Sequence, residues 1–98
     1  MKRYAVDAYV IDVLLPDLVG HDRKPAAFLV YLCLLCESDQ RRSATVGLSL
    51  QELATRTGLA KSTVQSAIRH LKGRRLLDPT LKSTTSDPLR RVGKPWMR

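Results

Sequence analysis

Apolar residues recur at positions 6, 9, 10, 13, 14 and 18, the i, i+3, i+4, i+7 spacing of a helix with one buried face. Asp7 stands near the start of the run, where a short acidic side chain can cap free backbone amides. The pattern predicts a helix over residues 6–19, kinked or restarted at Pro16, which has no backbone donor. Gly20, His21 and Asp22 then read as a turn. Pro25 suits the first turn of a second helix, over residues 24–39. From Ala26 to Cys36 that helix is apolar on nearly every side, which places it at the centre of the core. Residues 40–47 are polar and aperiodic, and read as a loop.

A third helix, over residues 49–57, opens on Ser49 with Glu52 three positions later, the pair that caps amides reciprocally. Leu50, Leu53 and Ala54 form its inner face, and Gly58 ends it in the conformation glycine adopts most readily. The fourth helix, over residues 61–72, carries the stripe Val64, Ala67, Ile68 and Leu71. Past Gly73 the periodicity changes. Residues 76–82 and 89–94 read as two strands around the turn-rich segment 83–88, with Pro95 closing the second. The expected fold is mainly α with a small β-hairpin: four helices, then a two-stranded wing over residues 76–94. A chain of 98 residues suffices for one domain, taken as residues 1–98.

Two short helices joined by a tight glycine turn form a helix-turn-helix arrangement. Ala54 is small where the second helix crosses the first, and Leu59, Val64 and Ile68 fix the crossing by burial. The outer face of the second helix is left to Lys61, Ser62, Gln65, Ser66 and Arg69. A helix with such a face can enter the major groove of DNA, about 12 Å wide, and offer hydrogen bonds to base edges.

Charge sharpens this picture. Residues 1–60 hold seven Lys/Arg and seven Asp/Glu, whereas residues 61–98 hold ten Lys/Arg against Asp78 and Asp87. The whole net charge of +8 therefore lies in the last 38 residues, as expected of a surface for a polyanion. A basic tail serving only solubility is the alternative reading. No apolar run approaches the roughly 18 residues of a membrane span. Asp7 and Asp12 interrupt what would otherwise be a basic leader. A cytoplasmic protein with no membrane partner is expected.

From Ser49 to Leu59, from Lys61 to Lys72, and over Gly73-Arg74-Arg75-Leu76-Leu77, the chain resembles the winged helix-turn-helix superfamily. That superfamily is found in bacterial transcriptional regulators and in plasmid or phage replication initiators. The resemblance implies that helix 61–72 is a recognition helix and that the hairpin near residues 83–88 touches the DNA backbone or minor groove. Carried over by position, it places Lys61, Ser62, Gln65 and Ser66 at base contacts. It places Thr63, Arg69, Lys72 and Arg74, with Arg90, Arg91 and Lys94 of the wing, at backbone contacts. Phosphate contacts would set affinity and base contacts preference. A small transcriptional regulator binding duplex DNA is the implied function. A replication or partition protein, a protein-docking winged helix and an RNA-binding module are the alternatives.

Other features have quieter readings. Cys33 and Cys36 lie in an apolar helix with no second pair to complete a metal site, so inert thiols are expected. His21 and His70 are far apart in sequence. Tyr4, Tyr9, Phe28 and Tyr31 fall on apolar helix faces and are expected in the core. Trp96 reads either as a cover for the wing or as an anchor for a partner. The stripe Tyr9, Val10, Val13 and Leu14 either completes the core or pairs two copies into a homodimer. No nucleophile motif, phosphate loop or metal motif is present, so an enzyme, a cofactor and a small-molecule ligand are not expected.

Overall fold

A computed structural model describes residues 1–84 and 86–97. Helix begins at residue 8, where the Tyr9 amide donates to the Asp7 carboxylate at 2.9 Å. Two stretches of this N-terminal helix, Val10–Leu14 and Asp17–His21, are π-helical, with the Leu15 amide donating to Val10 and the Asp22 amide to Asp17. Pro16 lies between them. Lacking an N–H and crowding the preceding turn, it interrupts the α-helical ladder, and the wider turns accommodate the break. The wider turn also explains which side chains go inward. Val10, Leu14 and Leu18, spaced by four, are buried, while Val13 is 41% exposed and leaves the expected stripe. The helix continues through Gly20, and the chain reverses at Arg23, at φ 56°, rather than over residues 20–22.

Helix α1, Pro25–Arg41, has proline at its first turn as expected. It packs against the N-terminal helix and against α2 (Leu50–Thr57), α3 (Lys61–Gly73) and β1 (Thr45–Val46). Phe28, Val30, Tyr31, Leu34 and Leu35 are buried along it. One flank is not closed over: Leu29 is exposed and Leu32, Cys33 and Cys36 are half-buried. Tyr4 is exposed under the Lys2 ammonium, outside the core expected for it.

Strand β1 lies in the segment expected to be loop. It pairs antiparallel with β2, Arg90–Arg91, setting Thr45 opposite Arg91 and Val46 opposite Arg90. On the other edge Leu77 bridges Val92, the Asp78 amide donates to Arg91 at 2.9 Å and the Gly93 amide to Leu76 at 2.8 Å. The segment of β2 thus has β1 on one side and, on the other, only the isolated Leu77–Val92 bridge and its flanking hydrogen bonds. The strand expected over 76–82 is cut short because Asp78 accepts the Thr80 amide at 2.8 Å around Pro79, a turn that leaves the ladder. Thr84 and Asp87 exchange backbone hydrogen bonds at the wing tip, and Thr85 of the expected turn lies outside the described residues. Among the described residues the fold is mainly helical, with four helices and a two-stranded antiparallel pairing, compatible with a winged helix-turn-helix.

Two backbone features set the cost of substitution. Gly93 passes so close to the end of α3 that a Cβ there would lie 2.9 Å from the Arg75 carbonyl oxygen. The buried Tyr31 hydroxyl donates to the Gly93 carbonyl at 2.7 Å, tying α1 to the same point. The chain leaves α1 through Arg42 and α3 through Arg75, both with left-handed φ, where a Cβ is strained. Gly93→Ala is expected to cost about 1–3 kcal/mol, and Arg42→Gly to gain roughly 0.5–1 kcal/mol, in urea unfolding. Equal midpoints for wild type and both variants would contradict this account.

Candidate nucleic-acid interface

The motif is built by local chemistry. The Ser49 hydroxyl accepts the Glu52 amide at 3.1 Å, and the Glu52 carboxylate accepts the Ser49 amide at 3.2 Å, closing the capping box that starts α2. Gly58, at φ 78°, ends α2, and the Thr57 hydroxyl donates to Leu53 and accepts the Leu59 amide. The turn is therefore hydrogen-bonded on both sides before α3 begins. Val64, Ala67, Ile68 and Leu71 of α3 are buried, and the helix packs on α1 and α2. Lys61, Ser62, Gln65, Ser66 and Arg69 are exposed on the opposite face, Thr63 and Lys72 are half-buried, and α3 contains no Asp or Glu. The exposed face of α3 is the one that helical periodicity predicts.

The remaining cations divide in a way that periodicity could not show. Arg74, expected at a backbone contact, instead binds Asp17 and Asp22 of the N-terminal helix. Arg90, expected at a backbone contact on the wing, is buried. Arg91 pairs with Asp78 at 3.2 Å and Lys94 with Asp39 at 2.7 Å. Exposed pairs of this kind contribute about 0–1 kcal/mol, so either cation can exchange its partner for a phosphate at little cost. Arg74 differs, because the Asp22 side chain is 8% exposed and both its oxygens are engaged. Lys61, Arg69, Lys72, Arg75 and Lys82 have no carboxylate within 4 Å among the described residues. Arg75 and Lys82 were not singled out from the sequence. Their signal was only the local charge count.

Asp22 is the hub joining the N-terminal helix to the end of α3. It accepts from His21 Nδ1 at 2.9 Å, from His70 Nε2 at 2.7 Å and from Arg74. The two histidines thus meet on one carboxylate, which their sequence separation concealed. These hydrogen bonds, His21 first and then His70, hold the Asp22 carboxyl well below the usual carboxylate range. Arg56 and then Arg41 likewise lower Glu37. Asp17, His21 and Asp22 bring three ligand-type atoms within 4.8 Å of one another, but the Arg74 guanidinium already serves both carboxylates. Trp96 stacks at a tilt on Tyr9, with ring centroids 5.6 Å apart, so it joins the chain's two ends. Burial raises the thiol pKa of Cys33 and of Cys36, which suits unreactive side chains.

The family model described as "Helix-turn-helix domain" matches residues 24–77, and the chain belongs to that family. The match runs from the start of α1 through both helices of the motif to Leu77. The family is a DNA-binding one and generally non-enzymatic. Searches of curated proteins and of solved structures gave no match. No helix of the described residues is long and apolar enough to cross a membrane.

A carboxylate with a lower pKa folded than unfolded binds fewer protons when folded. Its contribution is present above the unfolded value, about 4, and is lost as pH falls through the folded value. Stability is accordingly expected to decline on acidification below about pH 4. Asp22→Asn should lower the urea midpoint at pH 7 and make it less sensitive to acid than that of the wild type. An unchanged acid limb in Asp22→Asn would remove Asp22 from this role.

Proposed function

We propose that the chain binds double-stranded DNA sequence-specifically, as a small transcriptional regulator, with α3 in the major groove and the wing on the backbone. The supporting observation is the exposed, acid-free face of α3, on which Lys61, Ser62, Gln65 and Ser66 stand beside Arg69. Ser and Gln offer both donors and acceptors, and Lys donates, so the face suits base edges as well as phosphates. Thr63, Arg69 and Lys72 approach the backbone, joined by Arg75 and Lys82. Arg91 and Lys94 exchange their exposed carboxylates for phosphates. Arg74 stays with Asp17 and Asp22 and sets the position of the N-terminal helix.

The same reading pairs two copies through the N-terminal helix, on which Ile11, Val13 and Val19 are exposed. A two-fold dimer would place two recognition helices about 34 Å apart, one turn of DNA. Sedimentation equilibrium is expected to give a dimer that Val13→Asp dissociates; a wild-type monomer at high concentration would remove the pairing.

Duplexes selected from a random pool provide the test of DNA binding. Arg69→Ala should weaken binding to all of them alike and lower the salt slope by about one. Gln65→Ala should change the preferred sequence, at a cost of about 1–3 kcal/mol on the wild-type site. Salt-insensitive retention, or an unchanged preference in Gln65→Ala, would count against this assignment of roles.

A further inference from the structure

Away from the exposed face of α3, the end of the N-terminal helix gathers two carboxylates and an imidazole. One ligand-type atom from each of Asp17, His21 and Asp22 lies within 4.8 Å of the other two. The backbone produces this grouping. In an α-helix, residues five apart point about 140° away from one another. Here the Asp22 amide donates to the Asp17 carbonyl at 2.8 Å, a π turn, and the wider turn brings positions 17, 21 and 22 to one side.

The two carboxylates divide their oxygens between two neighbours. Arg74 takes the Oδ2 atoms, with Nη2 on Asp17 and Nη1 on Asp22, and His70 Nε2 also meets Asp22 Oδ2, at 2.7 Å. The Oδ1 atoms both face His21 Nδ1, at 3.6 Å for Asp17 and 2.9 Å for Asp22. Ligands about 2.0–2.2 Å from a zinc ion stand about 3.3–3.6 Å apart in a tetrahedron and about 2.8–3.1 Å apart at adjacent corners of an octahedron. The two separations in this cluster therefore match the spacing that such an ion sets. Arg74 does not compete for the Oδ1 atoms. A hydrogen-bond donor on the far oxygen is the support that orients a metal-ligating carboxylate. Two carboxylates against one guanidinium leave a negative charge for a cation to neutralise. No other Lys or Arg comes within 4 Å of either carboxylate among the described residues. The His21 side chain is 81% exposed, so an ion can reach its Nδ1 from solvent.

We propose that Asp17, His21 and Asp22 form a site for a divalent transition-metal ion of the zinc class, bound by His21 Nδ1 and the two Oδ1 atoms with water completing its coordination. One imidazole with two carboxylates suits Zn2+, Co2+ or Ni2+, whereas Mg2+ and Ca2+ favour shells made of oxygen alone. Arg74 and His70 are positioning residues that hold the two carboxylates by their other oxygens. His70 belongs to α3 and Arg74 caps its end, so a bound ion braces the N-terminal helix against α3. The site stands independently of how α3 meets DNA.

Isothermal titration of zinc chloride into the full chain is expected to show one ion bound per chain, and magnesium chloride none. His21→Ala should weaken zinc uptake roughly tenfold or more, and the exposure of the side chain lets the fold survive its loss. Replacing both free thiols, Cys33→Ser with Cys36→Ser, should leave uptake unchanged, which separates this site from zinc held by sulfur. Zinc at roughly ten times its dissociation constant should raise the Tm of the wild type by several degrees, a rise that His21→Ala loses. Imidazole NMR of the wild type reads the site without any substitution: zinc should shift the His21 ring most and the His70 ring less. Unsaturable uptake, uptake undiminished in His21→Ala, uptake lost with the two thiols, or an unmoved His21 ring would each overturn the site.

Discussion

The burial of one stripe of α3 against α1 is the constraint on which the rest of the molecule depends. Val64, Ala67, Ile68 and Leu71 are all inside, and only when they are does the opposite face point outward with its hydroxyls, amide and cations. A helix that reads base edges must be held firmly, because hydrogen bonds weaken steeply outside a narrow range of distance and angle. Helix α1 is suited to hold it, being apolar on most sides and in contact with every other helix and with β1. Tyr31 extends the same control to the wing through its hydrogen bond to Gly93. The exposed face of α3 and the β2 segment are therefore both referred to one buried helix.

Charge performs two jobs, and burial tells them apart. Arg74 and the Asp17–Asp22 pair hold the N-terminal helix to the end of α3, as Arg56 and Arg41 hold Glu37. Lys61, Arg69, Lys72, Arg75 and Lys82 have no such duty among the described residues and are available to a polyanion. The net charge of +8 overstates the number of such contacts near α3, because part of it is balanced by acids from the neutral first half.

The parts of the fold that were legible in the sequence are those fixed by local chemistry. The capping box at Ser49, the left-handed Gly58, the proline start of α1 and the stripe on α3 each depend on residues within a few positions of one another. What escaped was non-local or ran against residue preference. Two residues of β1 carry no periodicity, and they form a strand only because β2 arrives from the far end of the chain. Arginine is a poor choice for left-handed φ, so the reversals at Arg23, Arg42 and Arg75 have no local signature. The burial of Arg90 and the tie at Arg74 follow from which elements pack together. Trp96, uninformative by itself, has a place once Tyr9 is beside it.

The central claim is that the exposed face of α3 is the surface that meets DNA. Backbone amide NMR of the full chain, titrated with a duplex selected from a random pool, tests it most directly. The account predicts that the largest shifts fall on Ser62, Gln65, Ser66 and Arg69 with a second set on the wing near Lys82, and that they recede as salt is raised. Shifts confined to the N-terminal helix and the uncovered flank of α1, with α3 unmoved, would contradict it.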